Sequence, residues 1–127
     1  MKIFITGVAG FLGSHLADLM ISEGHTVAGN DNMIGGYTDN VPQNVEFHQV
    51  DCCDLENMTK AMEGCDIVYH TAATAYEGLS VFSPVLVTRN IFEASVTTIT
   101  AAIRNKVKRI VYCSSMARYG HHDEMPY

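Results

Sequence analysis

Two hydrophobic patterns alternate along the chain. Short continuous apolar runs, typical of buried strands in parallel sheets, are separated by stretches in which apolar residues recur every three or four positions, typical of helices. The predicted strands cover residues 2–6, 26–29, 45–50, 66–70 and 109–113. Strands that alternate with helices predict an α/β fold with a parallel sheet and right-handed crossovers.

Each helical stretch has one apolar face. In the first, before Gly24, we expect this face to pack on the sheet; it contains Leu12, His15, Leu16, Leu19 and Met20. Asp54 is a suitable N-cap for a short second helix. A long third helix is predicted to start at Ser83-Pro84, and its apolar face contains Val85, Phe92, Val96, Ile99 and Ile103. Residues 32–44, rich in glycine and asparagine, are predicted to form a surface loop.

Length and charge limit the classes of function. A chain of 127 residues predicts one domain, and 8 basic against 14 acidic residues give a net charge of −6. This acidic balance argues against general affinity for nucleic acid or anionic membranes. The four cysteines form no C-x-x-C pair, and no metal-ligand spacing includes the six histidines, so we expect a cytoplasmic protein with reduced thiols and no metal site.

The strongest local signal is a glycine loop between the first strand and the first helix. Gly7, Gly10 and Gly13 form a G-x-x-G-x-x-G pattern, a variant of the dinucleotide-binding fingerprint. Gly7 permits a tight turn, Gly10 permits close approach of a pyrophosphate, and Gly13 permits close packing of the helix on the sheet. The helix N-terminus attracts phosphate. The alternative is a glycine-rich turn without a ligand.

Asp31, at the end of the second predicted strand, favours NAD as the dinucleotide. A carboxylate there accepts hydrogen bonds from both ribose hydroxyls and repels a 2′-phosphate. No lysine or arginine occurs between residues 14 and 40 to bind that extra phosphate. The alternative for Asp31 is an ordinary aspartate of a turn.

Five segments in order carry a family resemblance across nearly the whole chain: residues 6–16, 30–32, 50–54, 66–73 and 107–120. With these motifs the chain resembles the extended short-chain dehydrogenase/reductase family, specifically its NAD-dependent nucleotide-sugar epimerases and dehydratases. The resemblance implies a Rossmann-type doubly wound sheet of five strands in the order 3-2-1-4-5. It also implies that residues 1–127 are the NAD-binding domain of a longer enzyme whose substrate-binding part is absent here.

The resemblance implies roles for individual residues. Ser115 is implied to be catalytic, by hydrogen bonding to the reacting hydroxyl or carbonyl of the substrate, although a serine that satisfies loop backbone is the alternative. Asp51 and the backbone of Cys52 are implied to meet the adenine. Asn90 matches a family asparagine if one residue is inserted in the helix. The remaining implied cofactor contacts are Phe11, Leu12, Asn32, Ala72 and Ala73.

One family motif does not occur in the sequence. The family uses the tyrosine of a Tyr-x-x-x-Lys motif as acid and base, and none of the six tyrosines here has a lysine four residues later. We therefore expect these 127 residues to bind nucleotide but not to catalyse turnover of a substrate. Two alternatives remain. One is a small non-catalytic module that senses the NAD(H) redox state and acts through a partner. The other is a shortened remnant without activity.

The expected sheet has an apolar edge. The fifth strand, with Ile110, Val111 and Tyr112, lies last in the predicted order. An uncovered apolar edge strand can pair with another chain. We expect self-association through this strand or the long helix before it.

Overall fold

A computed structural model describes residues 1–76, 78–115 and 119–120. The five strands are β1 (Lys2–Thr6), β2 (Thr26–Asn30), β3 (Val45–His48), β4 (Ile67–His70) and β5 (Arg109–Tyr112). All their pairings are parallel, and the order β3-β2-β1-β4-β5 confirms the predicted order and fold class. The central strand β1 is almost completely buried, as expected for a strand covered on both faces.

Five α-helices connect the strands: α1 (Phe11–Ser22), α2 (Leu55–Ala61), α3 (Leu79–Phe82), α4 (Pro84–Thr88) and α5 (Ala94–Arg104). The predicted cap of α2 is confirmed, because the Asp54 side chain accepts a hydrogen bond from Asn57 N at 3.1 Å. The predicted long helix is not continuous. A π-helical turn, Arg89–Glu93, separates α4 from α5.

The sheet divides the core into two layers. One face of the sheet packs against α1, with Ile3, Ile5 and Ala17 in that cluster. The other face packs against α2 and α5, with Phe4 and Met58 at its centre. Because the strands are parallel, the carboxyl ends of β1, β2 and β4 lie together at one edge of the sheet, between the two helix layers. Open α/β sheets bind ligands at this edge.

The predicted packing face of α1 is confirmed in part. Leu16 and Met20 are partly buried and pack against the cluster around Ile3 and Ile5. Leu12 and Leu19 are about half exposed, and His15 is exposed rather than facing the core. The fully buried positions of the helix are small: Gly13, Ser14 and Ala17. Small side chains allow the helix backbone to approach the strands closely, which a pattern of large apolar residues does not reveal.

The apolar face identified in the third helical stretch is not the face that packs on the sheet. The buried residues of α5 are Ala94, Thr98, Ala101 and Ala102. The large residues of the apolar face are all exposed: Val85, Phe92, Val96, Ile99 and Ile103.

Candidate functional site

A cavity opens at the carboxyl ends of β1, β2 and β4. It joins the glycine loop to both acidic residues predicted to contact a nucleotide, Asp31 and Asp51. Nine of the residues predicted to bind a cofactor line it: Gly7, Gly10, Asp31, Asn32, Asp51, Cys52, Ala72, Ala73 and Asn90. These residues come from five separate segments of the chain, so the fold is what brings them together.

The glycine loop has the conformation that only glycine permits. Gly7 has φ +69°, and a Cβ there would lie 2.9 Å from Ala72 Cα. A Cβ on Gly13 would collide with the carbonyl oxygen of Gly7, so Gly13 serves packing beneath the cavity. A Cβ on Gly10 would approach only Gly7 O, at 3.2 Å. Gly7 and Gly13 thus shape the loop, and Gly10 keeps the cavity surface open.

The N-terminus of α1 can hold an anion. Gly10 is its N-cap and has no side chain with which to accept a hydrogen bond, and the first turn contains no acidic residue. The first N–H groups of a helix have no intrahelical acceptor, and the helix dipole attracts negative charge. Phe11 and Leu12 belong to this turn, and neither is among the residues that line the cavity; Phe11 is strongly exposed.

Asp31 is fixed beside the glycine loop. It is buried, its Oδ2 accepts a hydrogen bond from Ala9 N at 3.2 Å, and its Oδ1 accepts one from Met33 N at 2.8 Å. A Cβ on Gly36 would lie 2.9 Å from Asp31 Oδ1, so glycine at that position leaves the carboxylate accessible. Each carboxylate oxygen keeps a further acceptor position for a ligand hydroxyl.

Asp51 stays ionised in a network of three donors. Its Oδ1 accepts from Cys53 N at 2.8 Å, and its Oδ2 accepts from Asn32 Nδ2 and Arg89, both at 3.2 Å. Burial favours the neutral acid, but the hydrogen bonds from Cys53, Asn32 and Arg89 outweigh burial and lower the pKa of the carboxyl. The site therefore presents two carboxylates, Asp31 and Asp51, to a ligand rich in donors.

A buried network fixes the loop after β4. Thr6 Oγ1 accepts hydrogen bonds from Thr71 N and Ala72 N, both at 3.1 Å. Its single proton therefore goes to His70 Nδ1, at 2.8 Å, which leaves the His70 proton on Nε2 to donate to Ser95 Oγ at 3.1 Å. Burial lowers the pKa of His70, which favours this neutral form.

A second cavity adjoins the first. Thr71, Ala72 and Ala73 line both, and the second also contains Leu12 and Ser115. Ser115 follows the carboxyl end of β5, as predicted from the sequence, and its neighbours in the lining include Tyr112. The predicted catalytic serine thus lies in a cavity that shares a wall with the cavity holding the predicted cofactor contacts.

The sequence analysis missed several residues of the site. The loop of residues 32–44 is not only a surface loop, because Ile34, Gly35 and Gly36 line the cavity and Tyr37 N donates to Ala9 O at 3.1 Å. Thr74 accepts a hydrogen bond from Asn90 Nδ2 at 2.9 Å. The adjacent glycines Gly35 and Gly36 were the feature of the sequence that could have indicated that this loop lines the cavity.

Among the residues that the structure describes, no group of three or more His, Cys, Asp or Glu side chains is arranged to hold a metal ion. Within that same part of the chain, no helix is both long enough and apolar enough to span a membrane.

Comparison with known proteins agrees with this geometry. The family described as NAD dependent epimerase/dehydratase matches residues 3–127. The Arabidopsis thaliana protein named Probable UDP-arabinose 4-epimerase 3 is 32% identical over 135 residues, which is 98% of this chain and 33% of that protein. The chain therefore spans about a third of the length of this relative.

Solved structures resemble the whole chain. UDP-glucose 4-epimerase from Thermotoga maritima, solved with UDP-glucose, superposes with a TM-score of 0.94 at 30% identity and covers 98% of this chain and 41% of its own. The same enzyme from Brucella ovis, solved in complex with NAD, superposes with a TM-score of 0.93 at 30% identity, covering 98% of this chain and 39% of its own.

Proposed function

Because the chain belongs to the NAD-dependent epimerase/dehydratase family, we propose that it forms the NAD-binding domain, residues 1–127, of an enzyme acting on a nucleotide sugar. One observation carries the proposal: a single cavity joins the open glycine loop, Asp31 and Asp51. The named relatives support a UDP-sugar as substrate, since they are UDP-arabinose and UDP-glucose epimerases.

The residues of the cavity fit the parts of NAD. The N-terminus of α1 and the glycine loop bind the pyrophosphate. Asp31 accepts hydrogen bonds from the adenosine ribose, and Asp51 with the Cys52 backbone meets the adenine. Ala72, whose N–H donates to Thr6, borders the nicotinamide half together with Ala73. Asn90, which donates to Thr74, contacts the same half of the cofactor.

The bound NAD supplies reversible hydride transfer at a sugar carbinol. The chain's own contribution at the substrate is Ser115, whose hydroxyl hydrogen-bonds the reacting oxygen in the second cavity. Burial lowers the pKa of His70, which keeps a neutral imidazole in the lining of the second cavity. No Tyr-x-x-x-Lys motif occurs in these 127 residues, so we propose that the chain by itself binds NAD without turnover.

Titration calorimetry of the 127-residue chain with NAD and NADP tests the cofactor assignment. We expect NAD to bind at least about tenfold more tightly than NADP, because Asp31 repels a 2′-phosphate. Asp31→Asn should narrow this ratio, and Asp18→Asn, which removes an exposed carboxylate on α1, should leave it unchanged. Absence of NAD binding to the folded chain would overturn the assignment.

Activity distinguishes the enzyme domain from a sensing module. Incubation of the chain with NAD and UDP-glucose should produce neither NADH nor UDP-galactose. Turnover by the chain alone would contradict the predicted inactivity. The sensing alternative would gain support if a partner protein bound the chain only in the presence of NAD or only in the presence of NADH.

We also propose that the chain self-associates through the outward apolar side of the third helical segment or the edge of β5. Phe92 and Ile103 are about two-thirds exposed, and β5 lies at one end of the strand order in the described sheet. Sedimentation velocity over a range of concentrations tests this. A monomer at every concentration would refute it.

A further inference from the structure

The Asn90 alignment requires a one-residue insertion in the predicted long helix, and the π-helical turn Arg89–Glu93 of that segment contains Asn90. A π-turn accommodates one extra residue inside a helix and occurs most often at functional sites. On this turn, Asn90 Nδ2 donates to Thr74, and Nη1 of the neighbouring Arg89 donates to Asp51. The turn therefore places two consecutive side chains in contact with two different residues of the cavity lining, Thr74 and Asp51.

Arg89 contacts Asp51 and its own neighbour Asn90. Its Nη1 lies 3.2 Å from Asp51 Oδ2 and 3.4 Å from Asn90 Oδ1, and its backbone oxygen accepts a hydrogen bond from Cys53 Sγ at 3.4 Å. The side chain is 45% exposed, and that of Asp51 is 29% exposed. The described residues that line the cavity include Asp51 and not Arg89, so the guanidinium contacts the carboxylate without lining the space available to a ligand.

The donors around Asp51 are divided unevenly between its two oxygens. A carboxylate has about four lone-pair sites, and Asn32 and Arg89 both donate to Oδ2 while Cys53 N donates to Oδ1. The Cys53 thiol, a weak donor, is also close enough to hydrogen-bond the carboxylate. The donors from three different segments fix the plane of the carboxylate, and a stronger donor from a ligand in the cavity can replace the weak thiol.

We propose that Arg89 is a positioning residue that orients Asp51 to accept a hydrogen bond from the exocyclic amine of adenine, so that the site selects a 6-aminopurine over a 6-oxopurine. This inference rests on the proposed function, because it concerns the adenine end of the same cavity. A 6-oxopurine presents a carbonyl oxygen where adenine presents an amine. An ionised carboxylate repels that oxygen, and it discriminates best when its orientation is fixed.

The test compares two ligands that differ at one atom group, NAD and nicotinamide hypoxanthine dinucleotide, by titration calorimetry. We expect the wild-type chain to prefer NAD by about tenfold or more, since a hydrogen bond to a charged group is among the stronger ones. Arg89→Ala should reduce the preference to about two- to threefold. Arg89→Lys, which keeps the charge without the guanidinium geometry, should restore part of it.

Arg104→Ala is the matched control. Arg104 is 44% exposed and pairs with Glu56 at 2.9 Å, on α5 and α2 and outside the cavity lining. Its loss removes a surface ion pair of similar exposure, and the preference for NAD should remain that of the wild type. Unfolding midpoints of both alanine variants show whether either substitution affects folding.

The outcomes separate this inference from the function on which it depends. If the wild-type chain binds neither dinucleotide, the proposed function fails. If it binds NAD but Arg89→Ala retains the full preference, or binds NAD more tightly than the wild type, then Arg89 does not position Asp51. In the double variant, Asp51→Asn with Arg89→Ala, we expect no further loss of preference beyond Asp51→Asn alone. If the losses of preference caused by the two substitutions were additive, Arg89 would act through a group other than Asp51.

Discussion

Two fully buried threonines separate the contribution of hydrogen bonding from that of packing. Thr6 in β1 and Thr98 in α5 each have 0% exposure. The Thr6 hydroxyl takes part in three hydrogen bonds, to Thr71 N, Ala72 N and His70 Nδ1. The Thr98 hydroxyl has no hydrogen-bond partner among the described residues and only lies beside the Cys52 thiol, a weak partner. Replacement of each by valine, which has nearly the same shape, should therefore have opposite effects.

The expected magnitudes follow from the number of hydrogen bonds. Each net hydrogen bond contributes about 1 kcal/mol to the free energy of unfolding, so Thr6→Val should lower it by about 3 kcal/mol. Thr98→Val removes a buried hydroxyl that is not compensated, so it should be neutral or stabilise by up to about 1 kcal/mol. Valine and threonine have similar helix and strand propensities, so propensity does not obscure the comparison.

Urea unfolding measures both effects. With an m-value of about 2 kcal/mol per molar, Thr6→Val should lower the midpoint by about 1.5 M, and Thr98→Val should change it by less than about 0.5 M in either direction. Thr6→Ser keeps the hydroxyl and loses one methyl group, which should cost about 1 kcal/mol. Because Thr6 also fixes the amides of Thr71 and Ala72 in the cavity wall, NAD affinity should fall in Thr6→Val and not in Thr6→Ser. Equal midpoint shifts in the two valine variants would refute the reasoning.

Three further predictions concern packing, protonation and thiol reactivity. Gly13→Ala should abolish NAD binding measured by calorimetry, because its Cβ would collide with Gly7 O; undiminished affinity would contradict the tight approach of α1. Burial lowers the pKa of His70 below its usual 6.5, so the unfolded chain takes up the proton first and stability should fall as the pH drops below about 6.5. His70→Gln should flatten that dependence in urea midpoints between pH 5 and 8. Iodoacetamide should modify exposed Cys113 before Cys65, whose pKa burial raises to about 11, and peptide mass spectrometry reveals the order.

The strands and the glycine loop were predictable because their signals are local. A continuous apolar run such as residues 2–6 is typical of a strand covered on both faces. The spacing of Gly7, Gly10 and Gly13 is likewise set within one turn of chain. The position of Asp31 beside the glycine loop could be predicted because an acidic residue after the second strand is itself part of the fingerprint.

The helix faces were only partly predictable from apolar spacing. Leu16 and Met20 of α1 pack on the core as predicted, but close packing on the sheet also selects small side chains. Ala17 in α1 and Ala101 in α5 are fully buried, while Leu19 and Ile103 on the same two helices are exposed. Large residues normally indicate the buried side of a helix. Here the distance between helix and sheet determines which side chains are buried, and that distance depends on the tertiary structure.

The contacts of Arg89 could not be predicted because they depend on a local change of helix type. In a continuous α-helix, one more residue rotates every side chain before it by about 100° relative to those after it. The π-turn, which here spans Arg89–Glu93, changes this rotation locally. The sequence showed only that an insertion was needed. The position of the turn, and the pairing of Arg89 with Asp51 across 38 positions of sequence, depend on the tertiary fold.

The exposed apolar face allows the free energy of self-association to be calculated to an order of magnitude. Phe92, Val96, Ile99 and Ile103 are 68, 48, 39 and 70% exposed, so burial of the exposed part of each contributes about 1 kcal/mol. A symmetric pair contributes eight such side chains and about 8 kcal/mol, against about 4–15 kcal/mol of lost freedom on association. This face alone supports only a weak dimer, and a tight one needs further pairing along β5. Ile103→Glu, remote from the cavity, should therefore yield a monomer in sedimentation velocity if the helix face dominates, and should leave a tight dimer intact if β5 does.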